Sequence, residues 1–337
     1  FWPVSHVFIA ISYAISLICG AGLISSKAIT LGDMVTFNIY LSYLIWPMYA
    51  IGEFINVAHR GAASIERIYE ILEEKEDEKI YQGRLIKEEL NDIEFTDYSF
   101  QYPQSKEINL KNINLQISRG QTLGIAGRTG SGKTTLIRQL LQEYPIGRGE
   151  ISVNKINIES LLKPELMKKI AYVSQDSMLF SGSIKDNILF GNEYATAEEL
   201  KRAIKLAGLE GDIAAFRDKE DTIIGERGVS LSGGQRQRVA IARALIKDAG
   251  LLILDDCLSA VDAKTESKII KNIYEHRQGK TNIITSHRLS VLVNADKIIV
   301  LDSGLVTEEG THSELINKDT WYAKQYRIQE LEEGDDE

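Results

Sequence analysis

Residues Gly127 to Thr134 have the types and spacing of a phosphate-binding loop and read Gly-Arg-Thr-Gly-Ser-Gly-Lys-Thr. The glycines allow the backbone to bend until several N–H groups point at one anion. A helix that begins near Lys133 would direct its positive N-terminal end at the same anion. Lys133 would then meet the β- and γ-phosphates of a nucleotide, and the Thr134 hydroxyl would bind Mg²⁺. The alternative is a purely structural glycine turn.

The segment from Leu251 to Asp255 could deliver the carboxylate that such a metal ion needs. Four apolar residues precede Asp255, as expected for a buried strand that ends at the edge of a sheet. Many core strands end in Asp, so this feature alone is weak. Together with the glycine loop it predicts a Mg²⁺–nucleotide site.

The segment Leu231 to Gln235 reads Leu-Ser-Gly-Gly-Gln and leads directly into the helical pattern QRQRVAIARALI. Ser232 stands in the N-cap position, where its hydroxyl and the helix N-terminus can face an anion. This segment matches the signature motif of ABC ATPases letter for letter, and the chain resembles that family. The resemblance implies ATP and Mg²⁺ as cofactors. The nucleotide contacts that it implies are Tyr102, Gly127, Arg128, Thr129, Gly130, Ser131, Gly132, Lys133, Thr134, Thr135, Gln175, Asp255, Ser232, Gly233, Gly234 and Gln235.

Further positions take roles from the same family pattern. Tyr102, 31 residues before Lys133, matches the aromatic residue on which adenine stacks, with a core strand aromatic as the alternative. Gln175 in YVSQD matches the glutamine that touches Mg²⁺ and the attacking water. His287 in TSHRLS matches the switch histidine on the γ-phosphate. The resemblance thus implies a catalytic set of Asp256, Gln175, His287 and Lys133, and metal ligands Thr134, Gln175 and Asp255.

Two more segments match loops of the family pattern. Glu226 in IIGERG matches the loop just before the signature in exporters. Ser259 to Asp262, Ser-Ala-Val-Asp, matches the D-loop, which crosses between two cassettes. In the family, each ATP lies between the phosphate loop of one chain and the signature of another.

The residue after Asp255 departs from the family pattern. A Glu normally follows the metal-binding Asp and polarises the attacking water, whereas Asp256 is one methylene shorter. A misplaced catalytic carboxylate is a poor general base. We therefore expect this chain to bind ATP but hydrolyse it slowly, and to lend an intact signature to a partner in a heterodimeric exporter. The alternative is that Asp256 works adequately in a homodimer.

The N-terminal part of the chain is apolar enough to cross a membrane twice. Residues 1–26 and 34–52 carry no formal charge, and a membrane-spanning helix needs about 20 such residues. A helical pattern continues to Leu72, mixed with charged residues. The hairpin resembles the fifth and sixth membrane helices of multidrug-type exporters, which implies that a longer protein precedes it. Buried core helices and a signal peptide are the alternatives.

The rest of the chain predicts an α/β domain. Segments at 93–102 and 113–118 indicate antiparallel strands, and TLGIAG, KIAYVSQ, LLILDD and TNIITSH indicate a mainly parallel sheet. The resemblance implies a RecA-like P-loop domain with an antiparallel β subdomain and a helical subdomain. We assign residues 1–72 to an all-α transmembrane hairpin, 73–92 to a linker, 93–330 to the ATPase domain and 331–337 to an acidic tail, expected to be disordered.

Composition limits the partners. The net charge of −9 argues against nucleic acid, since such binders carry a basic face. The two cysteines, Cys19 and Cys257, do not make a disulfide framework. The resemblance implies a second half-transporter as partner, the lipid membrane and an amphipathic small molecule as cargo. It further implies a multi-pass protein of a bacterial plasma membrane, with the ATPase domain in the cytoplasm.

Two rival functions remain open at this point. A soluble ABC ATPase acting on DNA or ribosomes shares the phosphate loop and signature, but the apolar spans and acidic balance count against it. A non-catalytic regulatory subunit, whose ATP only holds a dimer together, fits the Asp256 departure. The cargo itself cannot be identified from the aromatic residues of the spans, because lipid contact and helix packing use the same residues.

Overall fold

The computed structural model describes residues 2–73, 83–86, 88–225 and 230–335. It divides into two compact units, Phe1–Asp77 and Glu78–Glu337, which are described separately. The helices are α1 (Trp2–Ser25), α2 (Leu31–Leu72), α3 (Lys133–Leu140), α4 (Lys163–Lys168), α5 (Ile184–Leu189), α6 (Ala197–Leu206), α7 (Glu210–Ala215), α8 (Gly233–Ile246), α9 (Ala263–His276), α10 (His312–Leu315) and α11 (Trp321–Asp335), with 3₁₀ turns at Ile158–Ser160, Lys219–Asp221 and Leu289–Leu292. The strands are β1 (Ile93–Phe100), β2 (Leu110–Ile117), β3 (Thr122–Ala126), β4 (Arg148–Val153), β5 (Ile156–Asn157), β6 (Ile170–Val173), β7 (Gly182–Ser183), β8 (Ile223–Ile224), β9 (Leu251–Asp255), β10 (Thr281–Thr285), β11 (Lys297–Asp302) and β12 (Leu305–Gly310).

The first unit is a helical hairpin of α1 and α2, as the apolar runs predict. Thr30 caps α2: its hydroxyl accepts from the Asp33 N–H, and the Asp33 carboxylate accepts from the Thr30 N–H. Tyr13 and Ser42 hydrogen-bond between the two helices. Both helices are long and apolar enough to span a membrane.

The exposure of this hairpin distinguishes it from a pair of core helices. The apolar window of α1 is 6% buried and that of α2 is 0% buried. Apolar surface on this scale needs an apolar environment outside the chain. At 1.5 Å per residue, the 42 residues of α2 extend about 63 Å, roughly twice the hydrocarbon thickness of a bilayer. The helix therefore continues well beyond one membrane crossing.

The second unit is built around a mainly parallel sheet in the order β12-β11-β3-β10-β9-β6, in which only the β11–β12 pair is antiparallel among the described strands. Alternate residues of β9 face opposite layers. Leu252 and Leu254 pack with the helices α5, α6, α8 and α9, whereas Leu251 and Ile253 pack with α3 and the antiparallel sheet. Burial on both faces explains why β9 is continuously apolar.

A smaller antiparallel sheet, in the order β2-β1-β4-β5, covers the second face. The helical part lies between β6 and β9 and contains α5 to α8, with the short β7–β8 pair at its side. Both features confirm the predicted antiparallel and helical subdomains of a P-loop α/β domain.

Two boundaries differ from the sequence prediction. Arg84 forms a parallel bridge with Leu161, and Ile86 and Leu90 are buried, so the packed domain begins before residue 93. Of the predicted linker, residues 74–82 and 87 lie outside the described residues. At the other end, α11 continues to Asp335, so the first part of the acidic tail is helical rather than disordered. Glutamates are good helix formers, which gives a physical reason for this continuation.

Candidate nucleotide site

Four loops meet at one edge of the parallel sheet, and each carries predicted site residues. The phosphate loop follows β3, and Gln175 follows β6. Asp255 ends β9 and Asp256 comes directly after it, while His287 follows β10. Parallel strands place their carboxyl ends at the same edge, so residues far apart in sequence come together there. The sheet order, with β3, β10, β9 and β6 as consecutive neighbours, accounts for this assembly.

The phosphate loop requires glycine at Gly127 because of its close packing. Gly127 has φ +145°, and a Cβ there would lie 2.3 Å from the Leu301 carbonyl oxygen and 2.7 Å from Ser131 Oγ. Ser131 is buried, and its hydroxyl has no hydrogen-bond partner among the described residues. A buried hydroxyl without a partner is costly. The loop therefore presents an unsatisfied polar group at the place where the sequence predicts a phosphate.

Lys133 is folded back onto this loop. Its Nζ donates to the Gly127 carbonyl oxygen at 2.7 Å and to that of Arg128 at 3.1 Å. Burial lowers the pKa of Lys133, and the nearby Asp256 and Asp255 carboxylates act in the opposite direction. An ammonium held beside a glycine-rich loop at the start of α3 suits an anionic ligand.

The predicted metal ligands include two in direct contact. Thr134 Oγ1 donates to Asp255 Oδ1 at 3.2 Å, and Thr285 Oγ1 donates to the same oxygen at 2.8 Å. Asp255 is 1% exposed, and its carboxylate is held in place by these two threonine hydroxyls. Oxygen donors of this kind, a hydroxyl, a carboxylate and the Gln175 amide, fit Mg²⁺. Among the described residues, no cluster of three His, Cys, Asp or Glu could hold a metal without other ligands.

Two of the predicted catalytic side chains, Gln175 and His287, lie next to the same carboxylate oxygen of a third, Asp256. Gln175 Nε2 donates to Asp256 Oδ2 at 3.3 Å, and His287 Nε2 lies 3.5 Å from the same oxygen. Asp256 is 7% exposed and has φ 47°, a left-handed conformation held by hydrogen bonds from its N–H to Thr285. Burial raises the pKa of Asp256, while His287 and Lys133 oppose the rise. Buried, strained carboxylates of this kind cluster at functional sites.

Tyr102 lies beside the phosphate loop. Its hydroxyl donates to Thr135 Oγ1 at 3.1 Å, and its ring is half-buried. The ring packs edge-on against Phe100 and Tyr144, with centroids 4.9 and 4.8 Å away. The ring therefore belongs to an aromatic cluster beside the phosphate loop, and its stacking on adenine stays a prediction.

The signature segment forms the capped start of α8. Ser232 Oγ accepts from the Gln235 N–H at 3.2 Å, and Gln235 Oε1 accepts from the Ser232 N–H at 2.9 Å. The Gln235 amide donates to Asp212, which also forms an ion pair with Arg238 at 2.7 Å. Ser232 is exposed. The reciprocal cap leaves the helix N-terminus fixed and accessible, a geometry that suits an anion.

The signature packs against the D-loop of its own chain. A Cβ on Gly234 would lie 2.8 Å from the Ala260 carbonyl oxygen, so glycine is required for this contact. Gln237 binds the D-loop twice, accepting from the Ala260 N–H at 2.9 Å and donating to Ser259 Oγ at 3.3 Å. Among the described residues, no hydrogen bond joins residues 231–235 to the phosphate loop. The structure therefore does not bring the two predicted halves of the nucleotide site together within one chain.

Sequence reasoning missed several residues that support this site. Thr285 holds both Asp255 and Asp256, and Gln237 and Asp212 hold the signature. Thr285 carried a signal, because a polar residue ends the buried strand just before His287. The other two could not be identified without the fold. The predicted Glu226 lies outside the described residues.

Comparison with known proteins shows what these features resemble. Residues 110–259 match the family model described as ABC transporter. The chain is 48% identical over 337 residues to "Probable multidrug resistance ABC transporter ATP-binding/permease protein YheI" of Bacillus subtilis (strain 168), covering 99% of the chain and 58% of that relative. It is 39% identical over 333 residues to "Multidrug resistance-like ATP-binding protein MdlA" of Escherichia coli (strain K12), covering 97% of the chain and 55% of the relative.

A solved structure supports the same relationship across both units. "Structure of a bacterial Atm1-family ABC exporter with ATP bound" matches with a TM-score of 0.74 and 29% identity, covering 96% of this chain and 58% of that chain. The chain thus spans little more than half the length of each of these three proteins.

Proposed function

We propose that this chain is the membrane-spanning and ATP-hydrolysing part of an ABC exporter subunit, because residues 110–259 match the ABC transporter family model and the chain is similar to an ATP-binding/permease protein. The exporter would lie in a bacterial plasma membrane, with the ATPase domain in the cytoplasm, and would move an amphipathic drug or lipid. The relatives named for multidrug resistance support this class of cargo.

The observation that carries the proposal is the division of the nucleotide site. The phosphate loop, Lys133 and the carboxylates of Asp255 and Asp256 lie at one edge of the sheet. The capped start of α8 is exposed and makes no hydrogen bond to that loop among the described residues. Two copies, or this chain and a similar partner, would complete the site by placing the start of α8 of one against the loop of the other.

The oxygen donors at the sheet edge fit a Mg²⁺–ATP complex. Thr134, Asp255 and Gln175 would hold the metal ion, which when bound would neutralise charge on the β- and γ-phosphates. The orphan hydroxyl of Ser131 and the Lys133 ammonium would bind the phosphates. Tyr102, next to Thr135, would stack on adenine.

Closure of the two cassettes would depend on contacts made only when the γ-phosphate is present. A ligand shifts a conformational equilibrium only by its differential affinity for the two states. Ser232 and Gly234 would contact the γ-phosphate of ATP bound by the partner. Asp256 would orient the attacking water in this chain's own site, and His287 would contact the γ-phosphate. Helix α2, which continues beyond one membrane crossing, would transmit the movement to the cargo pathway.

We further propose that the chain's own site hydrolyses ATP slowly and that the partner is a different subunit. Asp256 is held by Gln175 and by its own backbone, so a shorter carboxylate has little freedom to reach outward. The competing proposal, an active homodimer, is favoured by one observation: Asp256 already lies within hydrogen-bond reach of Gln175 and near His287. Measuring ATPase activity of the purified chain in lipid, with and without a candidate partner subunit, separates the two.

Reconstitution tests the proposed function itself. The intact protein in lipid vesicles should hydrolyse ATP and accumulate a fluorescent amphipathic dye, and both activities should require Mg²⁺. Lys133→Ala should abolish both while leaving the protein folded. ATP-independent dye movement, or hydrolysis that survives Lys133→Ala, would contradict the proposal.

A further inference from the structure

Helix α11 carries a glutamine that binds the backbone of residues 287–289, which we call the switch segment. Gln329 Nε2 donates to the His287 carbonyl oxygen at 2.7 Å, and Gln329 Oε1 accepts from the Leu289 N–H at 2.8 Å. The two bonds bracket Arg288. Only one orientation of the amide satisfies both partners, since one is an acceptor and the other a donor. The contact is therefore specific to a side chain that both donates and accepts.

The start of α11 is packed into the ATPase domain, and this packing holds the position of Gln329 further along the helix. Tyr322 and Ala323 are fully buried, and the Tyr322 hydroxyl lies 3.0 Å from His312 Nδ1. Thr320 Oγ1 donates to Glu308 at 2.6 Å. Gln329 is seven residues after Tyr322 and so lies on the same face of the helix, two turns further on.

The switch segment is held from a second side as well. Arg288 donates to the Val261 carbonyl oxygen in the D-loop at 3.0 Å and binds Glu266. Leu289 is buried and begins the 3₁₀ turn Leu289–Leu292. The imidazole of His287 is exposed, with Asp256 as its described ionic neighbour. Its position therefore depends on the backbone on either side of Arg288.

We propose that Gln329 is a positioning residue for nucleotide hydrolysis, which holds the His287 backbone so that the imidazole meets the γ-phosphate. This inference rests on the proposed function of the site. Gln329 itself touches no reacting atom. Losing its two hydrogen bonds would let the switch segment shift, and a shift of about 1 Å costs up to about a hundredfold in rate.

The experiment compares variants of the intact protein in lipid nanodiscs with ATP and ADP as probes. Gln329→Leu removes both bonds at similar volume, and Gln329→Glu keeps the acceptor but loses the donor to His287. Gln325→Leu is the matched control, because Gln325 lies one turn earlier on α11 and has no hydrogen bond to the switch segment in the described structure. His287→Ala gives the full effect of losing the imidazole. Melting temperature is measured for all four.

If Gln329 positions His287 for contact with the γ-phosphate, its loss should weaken the binding of ATP but not that of ADP, which lacks the γ-phosphate. Gln329→Leu should lower the affinity for ATP relative to ADP by about fivefold to thirtyfold, as expected for two neutral hydrogen bonds, and should lower the single-turnover rate in the same direction as His287→Ala. Gln329→Glu should show a loss of the same sign, and Gln325→Leu should match the wild type.

Three results distinguish the alternatives. In the first, Gln329→Leu keeps the wild-type preference for ATP over ADP and the wild-type single-turnover rate, while His287→Ala loses both. This result overturns the positioning role and leaves the proposed function intact. Equal loss of ATP and ADP binding with a lower melting temperature shows a purely structural role and also overturns it. A wild-type protein that retains neither nucleotide contradicts the proposed function instead.

Discussion

Replacement of Asp256 by Glu should raise ATP hydrolysis at this chain's own site. Asp256 Oδ2 lies 3.3 Å from Gln175 Nε2 and 3.5 Å from His287 Nε2, with the side chain 9% exposed. A glutamate extends the carboxylate by one C–C bond, about 1.5 Å, beyond this position. Gln175 is exposed and can move to accommodate it.

The size of the effect follows from the sensitivity of catalysis to position. A displacement of about 1 Å in a catalytic group changes the rate by up to about a hundredfold. We therefore expect Asp256→Glu to raise the single-turnover rate at this site by about tenfold to a hundredfold. Affinity for ATP should stay close to that of the wild type, because Lys133 and the phosphate loop are unchanged.

The assay is single-turnover hydrolysis of radiolabelled ATP by the intact protein, with the partner's own site inactivated. Asp256→Asn is the matched control, since it keeps the size of the side chain and removes the base. It should be no faster than the wild type. If Asp256→Glu binds ATP normally and hydrolyses it at the wild-type rate, the argument from side-chain length is refuted.

Three further predictions follow from other contacts. Lys133→Ala should weaken ATP binding by about a hundredfold or more in equilibrium titrations, because charge-assisted hydrogen bonds to phosphates are lost; unchanged affinity would remove Lys133 from the site. Gly234→Ala should destabilise the fold by about 1–3 kcal/mol in thermal unfolding, because the new Cβ would lie 2.8 Å from the Ala260 carbonyl oxygen. Gly211→Ala, where a Cβ meets nothing within 4 Å, is its control and should not destabilise. Burial lowers the pKa of His312 below its usual 6.5, so the unfolded chain takes up this proton first and stability should fall as the pH drops through about 6.5. The fall in melting temperature should be smaller in His312→Gln, and an identical pH profile would contradict this.

Local features of the site could be predicted because they depend on short-range physics. The turn at the phosphate loop and the N-cap at Ser232 each need particular residues within a few positions, and both are where the sequence places them. The strand β9, ending in Asp255, was likewise predicted because burial on both faces makes it continuously apolar. Helix α2 continues to Leu72, as its apolar spacing indicated.

Contacts set by tertiary packing could not be predicted. The convergence of Gln175, Asp256 and His287 on one oxygen depends on the order of neighbouring strands, which no local pattern encodes. Ile86 is buried, although it lies in a highly charged stretch that has the composition of a linker. Gln329 lies among the polar residues in the second half of α11, and its contacts with the backbone of His287 and Leu289 are visible only when the helix is packed beside them.

The central claim is that the phosphate loop of this chain and the signature of a second chain bind the same ATP. A cryo-EM structure of the intact protein with Mg²⁺ and a slowly hydrolysed ATP analogue tests it most directly. We expect a triphosphate between Lys133 of one chain and the capped start of a signature helix from the other, with Ser232 of this chain facing the partner's nucleotide. A nucleotide held by one chain alone, with Ser232 facing solvent in the closed assembly, would contradict it.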